Sequence, residues 1–185
     1  MQWSGAILAG GASSRFGQDK ALYVYRGKPL IAWVLQSMAG ASESFVVANR
    51  PYPGLGTVYP DLRQGGDTLT GLHAALAHAR YDWVAIAACD QPFLTQDFWQ
   101  FMLSQARPDR RAVVAASGGF FEPLGALYHR SLEPEVLRRL ELGEFKMQAL
   151  LHSIPLVVLD KEALEARFGP HLFLNANRPQ DLPDF

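Results

Sequence analysis

The sequence predicts an α/β fold in which helices cover both faces of a sheet, giving three layers. Short apolar runs of strand length recur at residues 6–9, 45–48, 83–88 and 112–116, and between them lie segments whose apolar residues fall at helical spacing. A glycine pair, Gly10-Gly11, follows the first run at once. The 185 residues are 49% hydrophobic and 19% charged, the composition of a globular chain with a sizeable core. No internal repeat, low-complexity tract or linker divides the chain, so a single domain over residues 1–185 is expected.

Run 6–9 reads as a buried strand that breaks into a loop at Gly10 and Gly11. Without Cβ atoms there, backbone N–H groups can approach an anion or a flat base closely. Ser13 and Ser14 add hydrogen-bond donors, and Arg15 and Lys20 add the charge that phosphate oxygens need. The loop reads as a polyphosphate cradle or, more plainly, as a glycine-rich turn with two solvated cations. It is neither a Walker loop nor a Gly-x-Gly-x-x-Gly loop: Gly54-Leu55-Gly56 opens the latter, but Tyr59 stands where its third glycine belongs.

Residues 21–25 are expected to be extended and closed by an Arg26-Gly27 turn. A helix then opens at Lys28-Pro29-Leu30, with Leu30, Trp33, Val34, Ser37 and Met38 on one face and Gly40 ending it. Strands follow at 45–48 and 57–59, separated by the Asn49-Arg50-Pro51 loop, with Asp61 just beyond the second. The next helix spans about 69–80, and its glycine-rich entrance at 65–71 either faces a substrate or is a flexible surface connection. Strand 83–88 is the most uniformly apolar and delivers Cys89-Asp90-Gln91-Pro92 at its carboxyl end, where open parallel sheets bind ligands. Asp90 is suited to Mg²⁺, or else caps the helix near Gln96 or fixes the turn before Pro92. Cys89, with no histidine or cysteine beside it, reads as a small buried residue.

Further on, the pattern predicts a helix at 97–104, a strand at 112–116, a turn at 117–119 and a strand at 124–128. Glu122-Pro123 falls in that connection, lining an acceptor site or simply exposed. Helix 132–142 carries Glu135, Arg138, Arg139 and Glu141 as a solvated face. A helix at 146–152, a strand at 156–159 and a helix at 162–168 come next. The chain closes with a strand running into Asn175 and Asn177 and a helix begun by Pro179. The two asparagines offer amide groups to a metal or ligand, or act as helix caps.

A net charge of −1 gives no general attraction to nucleic acid or anionic lipid, so anion binding must be local. No apolar run approaches the ~20 residues of a membrane span, and the N-terminus does not read as a secretory signal. The lone Cys89 allows no internal disulfide, and the scattered histidines form no zinc pattern. The expected compartment is the cytoplasm.

The string Leu8-Ala9-Gly10-Gly11-x-Ser13-x-Arg15-x-Gly17-x-x-Lys20 resembles the signature loop of nucleotidyltransferases that attach a nucleoside monophosphate to a phosphorylated acceptor. Within them it resembles the molybdenum cofactor guanylyltransferases, and the Gly10-Gly11 pair leans toward guanine because related cytidylyltransferases usually carry Leu-Ala-Ala-Gly here. Three later stretches match in order: Pro60-Asp61 with the turn to Gly71, Cys89-Asp90-Gln91-Pro92, and the run from Asn175 to Leu182. The resemblance implies a Rossmann-like, mostly parallel sheet of the nucleotide-diphospho-sugar transferase type. It also implies that GMP passes from GTP to the terminal phosphate of molybdenum-molybdopterin, with Mg²⁺ as cofactor and a cofactor-delivering or accepting protein as partner. Residue by residue, it puts Leu8, Ala9, Gly10, Gly11 and Gly71 in the nucleotide site, Lys20 on the phosphates, Asp61 on the guanosine, and Asp90 on both metal and nucleotide. Asn49 falls where the family has an asparagine that contacts GTP, while Asn177 and Asn175 would line the side where metal and acceptor meet. Arg15, Lys20 and Asp90 would be the catalytic set. The sequence departs at Asp67-Thr68-Leu69-Thr70-Gly71, where the family often has Gly-Pro-Leu-x-Gly, and the chain is slightly compact. Two other readings stand beside this one: CTP or a sugar phosphate as substrate on the same fold, or a GTP-binding module without turnover.

Overall fold

The computed structural model describes residues 1–10, 17–65 and 67–184. Strand β1, Ser4–Leu8, is buried up to its last residue, the half-buried Leu8. A 3-10 turn at Lys20–Leu22 leads into a small hairpin, β2 (Val24–Tyr25) with β3 (Lys28–Pro29). Arg26 and Gly27 make its tight turn at φ 49° and 84°, the left-handed pair that suits a two-residue hairpin. Helix α1 (Leu30–Ser37), β4 (Glu43–Val47), β5 (Thr57–Tyr59), α2 (Thr68–His78) and β6 (Trp83–Ala88) follow. After them come α3 (Gln96–Ser104), β7 (Ala112–Ser117), β8 (Phe120–His129), α4 (Glu133–Glu141), α5 (Met147–Ser153), β9 (Leu156–Asp160) and α6 (Lys161–Phe168).

Among the described residues a seven-stranded sheet runs in the order β5-β4-β1-β6-β8-β7-β9. All pairings are parallel except those of β8, which runs against β6 and β7. From β1 the chain winds outward through β4 to β5, then returns over α2 to place β6 on the other side of β1. That reversal opens a crevice at the carboxyl ends of β1 and β6, where the ladder hydrogen bonds stop and backbone groups become available. Cys89 N–H to the Leu8 carbonyl (3.1 Å) and Ala9 N–H to the Val47 carbonyl (3.0 Å) carry the ladder to the crevice edge.

Alternate residues of the central strands feed two cores. Ile7, Ala85 and Ala87 pack with α1, α3 and α6 on one face, while Ala6, Val84 and Ile86 pack with α2, α4 and α5 on the other. The three-layer α/β expectation therefore holds, because strands buried on both faces need helices above and below.

Some expectations change. Residues 21 and 22, at the start of the expected extended piece, belong to a 3-10 turn, and Lys28-Pro29 is strand rather than helix. Strand β8 begins at Phe120, so Glu122 and Pro123 lie inside it. Proline is tolerated there because the register slips between Val113 and Ala115, a bulge that leaves ladder positions unpaired. Gly125 supports the same irregularity at φ 82°, with a Cβ there only 3.2 Å from Phe173. Residues 172–175 are turn and irregular backbone instead of a strand, and Pro179–Asp181 is only a 3-10 turn. Arg139 is not solvated: it is buried against Glu135, Glu144 and the Ser153 hydroxyl, which it reaches at 2.7 Å.

Candidate active site

The 3-10 turn after the first loop presents Lys20 to the end of β6. Its ammonium lies 2.8 Å from Asp90 Oδ2, with side-chain exposures of 19% and 5%. Asp19 starts this turn, its Oδ1 accepting the Ala21 N–H at 3.1 Å. The other carboxylate oxygen of Asp90, Oδ1, is buried without a hydrogen-bond partner. A buried carboxylate oxygen left open in this way is costly unless a cation or donor meets it. Asp90 does not cap α3, a task performed by Thr95, whose hydroxyl accepts the Phe98 N–H at 3.1 Å. Among the described residues no group of three or more His, Cys, Asp or Glu side chains is poised to hold a metal. A cation at Asp90 would thus complete its shell from substrate oxygens and water, the habit of Mg²⁺.

The cleft around this pair is lined by Leu8 and Gly10 from the end of β1, Ala88, Cys89 and Asp90 from β6, Asp61, the start of α2 at Asp67, Thr68 and Gly71, and Leu124 and Asn175. Its empty space is about 680 Å³, part of it open to solvent. Gly71 lets α2 approach β1, since a Cβ there would stand 3.2 Å from the Leu8 side chain. The entrance of α2 does face the cleft, but its free N–H groups are partly taken. Asp67 Oδ1 accepts both the Thr70 N–H (2.8 Å) and the Thr70 hydroxyl (3.0 Å). A carboxylate already at the helix N-terminus weakens it as an anion site.

Asp61 and Asn49 form a two-point pair. Asn49 Nδ2 donates to Asp61 Oδ2 at 3.1 Å, and Asn49 Oδ1 accepts the Asp61 N–H at 3.0 Å. Asp61 lines the cleft, while Asn49 is exposed and does not. On the far side the Ala176 N–H donates to the Asp90 carbonyl at 2.9 Å, fixing Asn175 beside the cleft. Asn177, the asparagine more favoured by the resemblance, is exposed and does not line the cleft. Ala9 is buried and does not line the cleft. Gly11 and Arg15, with Ser13 and Ser14, lie outside the described residues. Glu122 lines no part of the cleft and pairs instead with Lys161 at 2.7 Å.

Two contributors escaped sequence reasoning. Gln91 is completely buried; its Oε1 accepts the Ala88 N–H at 2.9 Å and its Nε2 donates to the Leu124 carbonyl at 3.1 Å. It thereby stitches β6 to β8 on either side of Asp90. The signal available was a glutamine after a buried strand, which is polar where burial must be compensated. The other is Asp19, which stands in the sequence between Arg15 and Lys20 and whose carboxylate accepts from Ala21 and Tyr52. Cys89 is an inert wall residue: burial, and then the nearby Asp90 charge, push its thiol up to about 12, so it carries no thiolate near neutral pH.

A family model described as "MobA-like NTP transferase domain" matches residues 5–160. The chain is 39% identical over 183 residues to a "Probable molybdenum cofactor guanylyltransferase" of Deinococcus radiodurans, covering 97% of this chain and 91% of that one. In three dimensions it superposes on the crystal structure of molybdopterin-guanine dinucleotide biosynthesis protein A from Archaeoglobus fulgidus. There the TM-score is 0.81 and the identity 26%, with 96% and 94% of the two chains covered. A 2-C-methyl-D-erythritol 4-phosphate cytidylyltransferase from Thermus thermophilus shares the fold at TM-score 0.69 and 20% identity, covering 98% and 95%. By sequence and by architecture alike, the chain belongs to the MobA-like NTP transferase family.

Proposed function

We propose that this chain, acting as one nucleotidyltransferase domain in the cytoplasm, transfers GMP from GTP to the terminal phosphate of molybdenum-molybdopterin. The products are molybdopterin guanine dinucleotide and pyrophosphate. An oxygen of the acceptor phosphate forms the new bond to the α-phosphorus, and the α–β bridging bond breaks with its electron pair leaving on pyrophosphate. The acceptor monoester is already ionised near neutral pH, so no strong general base is required, and catalysis reduces to positioning and charge neutralisation. The observation that carries the reading is the Lys20–Asp90 pair at the crevice, with one carboxylate oxygen engaged and the other buried and unmatched. Asp90 would hold Mg²⁺, whose charge when bound offsets that of the phosphate oxygens. Lys20, with Arg15, is assigned to the negative charge that grows on pyrophosphate. Asp61, oriented by Asn49, is assigned to the guanosine, and Asn175 to the acceptor side. Because the product is a finished cofactor, a protein that delivers the pterin or accepts the dinucleotide is the expected partner. Neither nucleic acid nor a membrane surface enters the proposed reaction. Among the described residues no helix is long and apolar enough to cross a membrane.

The test is pyrophosphate release with Mg²⁺, purified molybdenum-pterin cofactor and each nucleoside triphosphate in turn. Release with GTP alone is expected. Release with CTP would move the chain to the sister activity, and binding of GTP without release under any condition would make it a sensor.

A further inference from the structure

The Asp19 carboxylate is shared between two elements beside the cleft, the turn that carries Lys20 and the loop after β4 that holds Asp61. Its Oδ1 caps the turn that carries Lys20, accepting the Ala21 N–H at 3.1 Å. Its Oδ2 reaches across to the loop after β4, accepting the Tyr52 hydroxyl at 2.7 Å and an Arg50 N–H at 3.2 Å. Tyr52 is rigidly held: its ring is 3% exposed within the core. Burial and then the Asp19 carboxylate push its phenol well above the usual range, so the hydroxyl stays a donor. Three residues before Tyr52 in the same loop is Asn49, which grips Asp61 at two points. One residue after Asp19 is Lys20, which meets Asp90.

A turn cap alone uses one acceptor, and serine or threonine at position 19 would supply it. The second oxygen is committed elsewhere, and to a donor that is buried rather than to a mobile surface group. The Arg50 contact is half exposed and adds little. The buried Tyr52 contact is the one that joins the elements.

We propose that Asp19 is a positioning residue that, through Tyr52, locks the Lys20 turn to the Asn49 loop, so that the phosphate side and the nucleoside side of the cleft move as one body. The inference rests on the reading of the cleft as a GTP site, and it adds a residue that acts on the reaction without touching substrate. GTP held at both ends by elements in fixed register presents its α-phosphorus at one place. With the link cut, each end still binds, but the separation between them is no longer set. Misplacement of reacting atoms by an ångström is costly in rate, whereas binding energy spread over two ends is less affected.

Tyr52→Phe removes the bridging hydroxyl while keeping the ring in the core, and Asp19→Ser keeps a cap for the turn while removing the bridge. In pyrophosphate release with GTP, each is expected to lower kcat about tenfold and raise KM for GTP less than about threefold. The double variant should be no slower than the slower single variant, since both cut the same link. Hydrogen exchange of the full chain supplies a readout independent of turnover: Tyr52→Phe should speed exchange in residues 17–25 and 48–56 together, leaving the other segments as in the parent. Exchange that rises only around residue 52, or single-variant losses that multiply, would overturn the proposal. If the parent protein releases no pyrophosphate while the paired change in exchange is seen, the link stands and the GTP-transferase reading fails.

Discussion

Lys20 and Asp90 depend on each other unequally. Asp90 is almost fully enclosed, with one oxygen on Lys20 and the other unmatched, whereas Lys20 retains partial access to water. Removing the lysine leaves a buried carboxylate uncompensated, and removing the carboxylate leaves an ammonium that can turn toward solvent. Lys20→Ala and Asp90→Ala are each expected to cut turnover at least ~100-fold, the scale of one lost preorganised electrostatic contact. In urea unfolding Lys20→Ala should lose about 3 kcal/mol, more than Asp90→Asn, which removes the charge and keeps the shape. Near-parental turnover in either alanine variant would take that residue out of the mechanism.

Between elements, the decisive contact is a single amide. β6 ends where it does because the Ala88 N–H, which would otherwise seek a strand partner, is met by the Gln91 side chain. The same side chain reaches the Leu124 carbonyl on β8, beyond the last paired residue, Ala126 opposite Ile86. Gln91→Leu keeps the volume but orphans one buried donor and one buried acceptor. The expected cost is about 3 kcal/mol, from roughly 1–3 kcal/mol per unsatisfied group. Calorimetric unfolding reads the loss, and turnover measured well below the midpoint should also fall, because Ala88 and Leu124 both line the cleft. Unchanged stability would mean that water replaces the amide on both sides.

At the scale of the whole molecule, stability should depend on acid through its half-buried imidazoles. His78 stacks flat on Tyr59 at 4.0 Å, and burial, followed by the charge of His73, holds its pKa below the ordinary value. His129 is lowered too, chiefly by burial. A depressed folded pKa means that the unfolded chain takes up the proton first, so this contribution to stability is complete above about pH 6.5 and is lost as pH falls through the folded value. His78→Phe, which preserves the stack, should flatten the slope of unfolding free energy between about pH 7 and 5; an unaltered slope would assign it to other groups. The sequence by itself determined the α/β layering and most helices and strands, because each depends on local periodicity. It also singled out Lys20, Asp61 and Asp90, by residue type at the end of an apolar run or by family resemblance, and the fold brings all three to one cleft. What only the tertiary structure decided are facts of pairing. Strand β8 continues through Pro123 because a register slip in the sheet excuses the missing donor. Arg139 is buried because α4 turns it toward Ser153, and Asn175 rather than Asn177 meets the cleft because Ala176 bonds to Asp90. Asp19 and Gln91 matter through partners 33 positions away in the chain, Tyr52 and Leu124. A local pattern records which groups need a partner; only the folded chain brings distant ones within hydrogen-bond reach.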